Sequence, residues 1–222
     1  MEEVKLTELN RNEILKYLGY RGQEYSEIID EQITRCEKEV LKASEPHLVY
    51  QIAEYSDGKV NGVELPGNDI KQMLCECGKV VMMAATLGPQ VERLIMKYNV
   101  LDMADALIMD ACASTAIENV CDNFENELRE KYLKEGKYLT DRFSPGYGDM
   151  PLDFQMEFCR ILNAEKRIGL SVQQNMIMIP RKSVTAIIGI SDKKQTLRAK
   201  GCEVCNMFKN CNYRKEGVTC NG

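Results

Sequence analysis

Residues 79–98 read KVVMMAATLGPQVERLIMKY. An apolar run from Val80 stops at Gly88-Pro89. Its length is that of a strand, and the unbroken apolar character is that of a buried one. Pro89 then stands at the first position of a helix, where its missing N–H costs nothing. One strand feeding directly into one helix sets the theme for the chain.

Working outward, HLVYQIAEY (47–55) is rich in strand formers. It is followed by the turn signal SDGKVNG and the short run VEL (63–65). SVTAIIGIS (183–191) is a second buried strand. Helical spacing marks NRNEILKYLG (10–19), with an Asn10-x-x-Glu13 capping pattern and a Gly19 stop. It also marks YSEIIDEQITRCEKEVLKA (25–43), NDIKQMLCEC (68–77), Asp102 to about Lys134, and PLDFQMEFCRILNAEK (151–166). The fold class is α+β: helices packed on a mainly antiparallel sheet, with a short Cys-rich C-terminal appendage. Residues 1–192 form one domain and 193–222 the appendage. The break falls where Lys193, Lys194, Arg198 and Lys200 lead into a cysteine cluster.

The chain has 222 residues, 44% of them apolar and 28% charged, as in an ordinary soluble globular domain. A net charge of -5 argues against nucleic-acid binding by charge. No apolar run is long enough to span a membrane. The polar, acidic start MEEVKLTELNRNE is unlike a signal peptide, so a cytoplasmic location is expected. The single histidine, His47, reads as an incidental residue at a strand end. No P-loop, dinucleotide fingerprint, nucleophile elbow or H-E-x-x-H is present, against the commonest nucleotide and hydrolase chemistries.

Six of the ten cysteines (Cys36, Cys75, Cys77, Cys112, Cys121 and Cys159) are scattered and read mostly as small buried hydrophobes. The other four, Cys202, Cys205, Cys211 and Cys220, form C-x2-C-x5-C-x8-C. Four soft ligands in so short a segment suit zinc or an iron–sulfur cluster. A tail with free thiols is the plain alternative.

Two further patterns bear on a site. DRFSPGYGDM (141–150) sets Arg142 beside a loop shaped by Pro145, Gly146 and Gly148. Such a loop suits a small zwitterion. On these ten residues alone, a helix-to-helix turn with a solvated arginine is the favoured reading. On the long helix, Asp110, Ser114, Glu118 and Asp122 stack at i, i+4 beside the small-residue run ACASTA (111–116). That row is either a solvated stripe or a surface for a cationic ligand.

Three stretches together resemble the activation domain of cobalamin-dependent methionine synthase, over roughly residues 10–191. RFSPGY matches that family's Arg-x-x-x-Gly-Tyr signature as Arg142, Gly146 and Tyr147. NAEKRIGLSV through MIPRKSVTAIIG resembles its helix end, Pro-containing turn and following strand. AATLG followed by the acidic, small-residue helix resembles short stand-alone members. The resemblance implies binding of S-adenosylmethionine and support for reductive remethylation of cobalamin carried by a separate protein. It implies that Arg142 holds the ligand carboxylate, as guanidinium chemistry suits. Ser144 would offer backbone contacts, Gly146 would shape the loop, Tyr147 would lie toward the cobalamin, and Glu118 would line the site.

There are departures from the family pattern. The family's acid on an N-terminal segment has no clear counterpart, and SDKKQTLRAKGC after the last strand lacks the family's tyrosine. The implied partner is a cobalamin-bearing methionine synthase or a related corrinoid protein. The alternatives are an iron–sulfur redox partner delivering electrons to a corrinoid protein, and a non-catalytic binding module with a structural zinc site; flavodoxin or ferredoxin is a further expected partner.

Overall fold

The protein is described by a computed structural model covering residues 2, 3 and 6–195. The elements in chain order are β1 (Glu2–Glu3), α1 (Arg11–Tyr17), α2 (Glu27–Ala43), β2 (His47–Ser56), β3 (Lys59–Val60) and β4 (Val63–Glu64). Then follow α3 (Asn68–Met73), β5 (Cys77–Thr86), α4 (Pro89–Leu101), α5 (Met103–Lys134) and β6 (Tyr138–Leu139). The last are α6 (Phe154–Leu162), α7 (Ala164–Ile168), β7 (Ser171–Val172), β8 (Met178–Ile179) and β9 (Ser183–Ser191). The main sheet runs β4-β3-β2-β5-β9-β6, with β1 also on β2, and every pairing is antiparallel. β7 and β8 form a separate hairpin.

Both faces of this sheet are covered. Val81, Met83, Ala85, Ala186 and Ile188 join a core with residues of α1, α2, α4 and α5. Val80, Met82, Ala84 and Ile187 join a second core with residues of α3, α6 and α7. Successive side chains of a strand point to opposite faces. A central strand covered on both sides therefore has no solvent-facing register, even in an antiparallel sheet. That accounts for the mainly apolar runs of β5 and β9, whose buried Thr86 and Ser183 hydroxyls hydrogen-bond each other. β2 lies nearer the edge and alternates, with Val49 buried and Ile52 and Glu54 exposed. Each large aliphatic side chain so buried contributes about 1.5–3 kcal/mol.

Helix ends follow the sequence signals. Asn10 caps α1 through the Asn12 N–H, Ser26 caps α2, and Pro89 opens α4. The expected helix over 151–166 is instead two helices, broken at Asn163, which adopts the left-handed conformation (φ 51°). The two-residue strands β1, β3, β6, β7 and β8 were not expected, β3 falling within the stretch read as a turn. Cys36, Cys77, Cys112, Cys121 and Cys159 are buried thiols, whereas Cys75 is exposed. Burial pushes Cys36, Cys112 and Cys121 up to about 12 and Cys77 and Cys159 up to about 11. His47 opens β2, with Nδ1 2.7 Å from the Glu45 carbonyl, in line with its reading as a strand-end residue. The four tail cysteines lie outside the described residues. No described helix is long and apolar enough to cross a membrane.

Candidate functional site

α5 holds its acids where the sequence stacks them. Its small-residue run serves packing rather than a ligand, since Ala111, Cys112, Ala113, Thr115 and Ala116 are all buried. At the Asp110 end of the row, Lys182 Nζ lies 2.9 Å from Asp110 Oδ1 and donates to Ser114 Oγ at 2.9 Å. The row therefore has a cationic partner, one that enters from the strand side rather than from its own helix.

Arg142 occupies the other end. Its neighbour Phe143 is buried and exchanges backbone hydrogen bonds with Ile187 of β9, at 2.9 and 2.8 Å. Extended backbone alternates, so Phe143 enters the second core while Arg142 turns toward α5. Arg142 Nη2 donates to Asp122 Oδ1 at 2.6 Å and Glu118 Oε2 at 3.2 Å, and Nε lies 3.3 Å from Glu125 Oε2. The arginine is thus not solvated, contrary to the reading of its ten residues alone. Nη1 of Arg142 is buried and has no hydrogen-bond partner among the described residues.

Glu125, absent from the expected row, is built into the site. Its Oε1 accepts from Arg129 Nε and Nη2 at 3.0 and 2.6 Å. Arg129 also donates to the carbonyls of Leu139 and Thr140, at 3.0 and 2.9 Å, fixing the entry to the loop. Asp122, Glu125, Asn126, Asp141 and Arg142 line a cleft of about 370 Å³. A smaller recess of about 290 Å³ at α6, α7 and β7 contains none of the expected residues.

The loop closes on itself. The Tyr147 N–H donates to the Ser144 carbonyl and the Gly146 N–H to the Met150 carbonyl, at 3.1 and 3.0 Å. Gly146 and Gly148 both have positive φ, 90° and 55°. Asp149 reaches back to α3, where its carboxylate accepts from the N–H groups of Asn68 and Asp69 at 2.7 and 3.0 Å. Those two donors hold its carboxyl below the usual range. α3 has no side-chain cap of its own, so the loop supplies one. Ser144 is half-buried and Tyr147 largely exposed.

The sequence reading missed one wall. α1 packs on α5, and Asn119 donates to the Glu8 carbonyl at 3.3 Å. Tyr17, at the end of α1, has its phenol held above the ordinary value by burial, then by Glu118, Glu13, Tyr147 and Asp122. Glu118 is likewise raised, first by burial; Arg142 opposes the rise, and Asp122 and Glu13 add to it. α1, α5 and the loop thus bring Glu13, Tyr17, Glu118, Asp122, Arg142 and Tyr147 into one charged neighbourhood. The signal was present in the sequence as the Glu13–Tyr17 i, i+4 pair, which shares one helix face.

The sequence model of the family described as vitamin B12 dependent methionine synthase, activation domain, matches residues 79–202, more than half the chain. The chain belongs to this family. Among solved structures, it is similar to one titled "Crystal Structure of the MetH Reactivation Domain bound to AdoHcy". The TM-score is 0.63 at 14% identity, over 96% of this chain and 82% of that one. At that identity the likeness speaks for the fold. Among curated proteins, none matches. For an activation domain, the donor set is chemically apt. The guanidinium of Arg142 pairs with carboxylates on its Nη2 and Nε side, while its Nη1 is buried without a partner among the described residues, so a carboxylate-binding cation sits here among three acids. Among the described residues, no group of three or more His, Cys, Asp or Glu side chains is placed to hold a metal ion.

Proposed function

We propose that this chain binds S-adenosylmethionine at the cleft between α5 and the start of the 141–150 loop, with α1 nearby, and supports reductive remethylation of cobalamin carried by a separate methionine synthase or related corrinoid protein. The observation that carries the reading is Arg142. It belongs to the Arg-x-x-x-Gly-Tyr stretch, lines the cleft, and pairs directly with Glu118 and Asp122 at 3.2 and 2.6 Å. The structural neighbour, whose title records bound AdoHcy, supports the same ligand class.

Bound S-adenosylmethionine supplies an activated methyl group. The residues of this chain hold and orient it. Arg142 takes the carboxylate, while Glu118 and Asp122 offset the positive charges. Glu13 on α1, which acts on both Glu118 and Tyr17, is our candidate for the N-terminal acid of the family pattern, and Tyr17 is our candidate for the aromatic that the sequence after β9 lacks. Tyr147, exposed beside the cleft, lies on the side open to a partner. No side chain acts as a base, and the contribution to rate is positioning.

We also propose that residues 193–222 form a separate metal-binding module through Cys202, Cys205, Cys211 and Cys220. A segment so poor in apolar residues needs ligation to order it. An iron–sulfur centre would make the tail a redox element fed by flavodoxin or ferredoxin, and zinc would make it a docking element. Iron, sulfide and zinc analysis of anaerobically purified protein decides between them, and absence of all three rejects the module.

The function is tested by anaerobic incubation of the chain with Co(II)-inactivated methionine synthase, a reductant and S-adenosylmethionine. The expected result is recovery of methylated cobalamin that depends on the chain. Equal recovery without the chain rejects the reading.

A further inference from the structure

We infer that Asp122 is a specificity-determining residue that reads the positive charge on the ligand's sulfur, so that the site prefers S-adenosylmethionine to the thioether left after methyl transfer. The inference rests on the ligand class proposed above.

The site is already full of ion pairs. One guanidinium, Arg142, serves Glu118, Asp122 and Glu125. Glu125 is fixed, because its side chain is only 14% exposed and it also holds Arg129. Asp122 differs from it. It makes the shortest contact to Arg142, at 2.6 Å, yet its side chain is 56% exposed and Arg142 is its only ion-pair partner among the described residues.

An incoming carboxylate cannot simply add to this arrangement. To reach Arg142 it must displace a carboxylate already there, and Asp122, the more exposed of the two acids held by Arg142 alone, is the one we assign to leave. The displaced acid then needs a cation. A ligand with only a negative group leaves it stranded, whereas a ligand with its own positive charge accepts it. Binding is therefore an exchange of partners.

Glu118 and Asp122 are one helical turn apart, about 6 Å of rise. Two acids at that spacing can address two cationic centres, the ammonium beside the carboxylate and the sulfonium farther along the chain. Methyl transfer leaves the S–CH3 electron pair on sulfur, so the sulfonium becomes a neutral thioether while the methyl bonds to the reduced cobalt of the partner's cobalamin. The acid that faced the sulfonium loses its partner, and Arg142 is available to take it back. The same exchange that admits the substrate thus helps to expel the product.

Titration calorimetry of the full chain tests this with S-adenosylmethionine, S-adenosylhomocysteine and sinefungin, which carries an amine in place of the sulfonium. The wild-type protein should bind the two positively charged ligands more tightly than the thioether. Asp122→Asn should shrink the S-adenosylmethionine to S-adenosylhomocysteine affinity ratio by about two- to fivefold, the range for a partly exposed charge pair. Thioether binding itself should hold or improve, since Arg142 is less occupied. An unchanged ratio in Asp122→Asn overturns the inference while leaving the ligand assignment intact. Failure of all three ligands to bind the wild-type protein overturns both.

Discussion

Phe143 and Ile187 exchange backbone hydrogen bonds at 2.9 and 2.8 Å, and this bridge aims the residue before it, Arg142, at the acids of α5. The ring of Phe143 is 2% exposed and anchors the bridge in the second core. Phe143→Ala should destabilise the protein by about 3–5 kcal/mol, the range for emptying a buried aromatic site. Urea unfolding measures it. A loss below about 1 kcal/mol would mean that the backbone bridge holds the loop without the ring.

Glu118 and Glu125 should part company when each is changed to Gln. Glu125 ties Arg129, and through it the carbonyls of Leu139 and Thr140, to the base of the site. Its loss should lower stability by about 1–3 kcal/mol as charge-assisted bonds are weakened. Glu118 is half exposed and bonds only to Arg142 among the contacts above. Its loss should weaken ligand binding with little change in the melting temperature. Paired melting and binding curves check this, and matched effects from the two variants would contradict it.

With Glu118 facing the ligand as proposed, its raised carboxyl predicts a pH dependence of binding with a definite sign. As pH falls through the raised value, Glu118 takes up a proton and no longer attracts a cation. Affinity for S-adenosylmethionine should fall with it, and binding should release protons in that window. The unliganded protein behaves oppositely. The folded state favours protonated Glu118, so this contribution to stability declines as pH rises from the unfolded to the folded value. Glu118→Gln should flatten both profiles. Calorimetry in buffers of different ionisation enthalpy reports the protons, and equal slopes in wild type and variant would exclude Glu118 as their source.

The loop clamp at Asp149 depends on a glycine. Gly148 has φ 55°, and a Cβ there would run into the Asp69 carboxylate, with the Phe143 ring 3.1 Å away. Gly148→Ala should therefore loosen the contact between Asp149 and the start of α3. Amide exchange at Asn68 and Asp69 should speed up more than in the core strand β5. Unchanged protection at both amides would show that the loop absorbs the methyl group.

How much of this was legible beforehand differs by element. β5 and β9 were plain because strands buried on both faces carry no charged residue through their middle, only apolar residues and a small buried Thr185. β6, β7 and β8 carry two residues each, too few for any period to register, and tertiary pairing alone creates them. The break at Asn163 was hidden because neither Gly nor Pro marks it; asparagine tolerates the left-handed conformation unannounced. At the site, the i, i+4 row was correct as geometry. Counting only fours left out Glu125, which lies three residues after Asp122 and four before Arg129, both facing distances on a helix. Lys182 could not be seen from α5 at all, since it arrives from a segment 68 positions from Ser114.

The central claim is that Arg142 holds the carboxylate of S-adenosylmethionine. Titration calorimetry of the wild-type chain and Arg142→Ala, with both proteins checked for the same melting cooperativity, tests it most directly. A charge-assisted pair to a carboxylate contributes about 1.5–3 kcal/mol, so affinity should fall by roughly 10- to 150-fold in the variant. Equal affinity of the two folded proteins for S-adenosylmethionine would contradict the account.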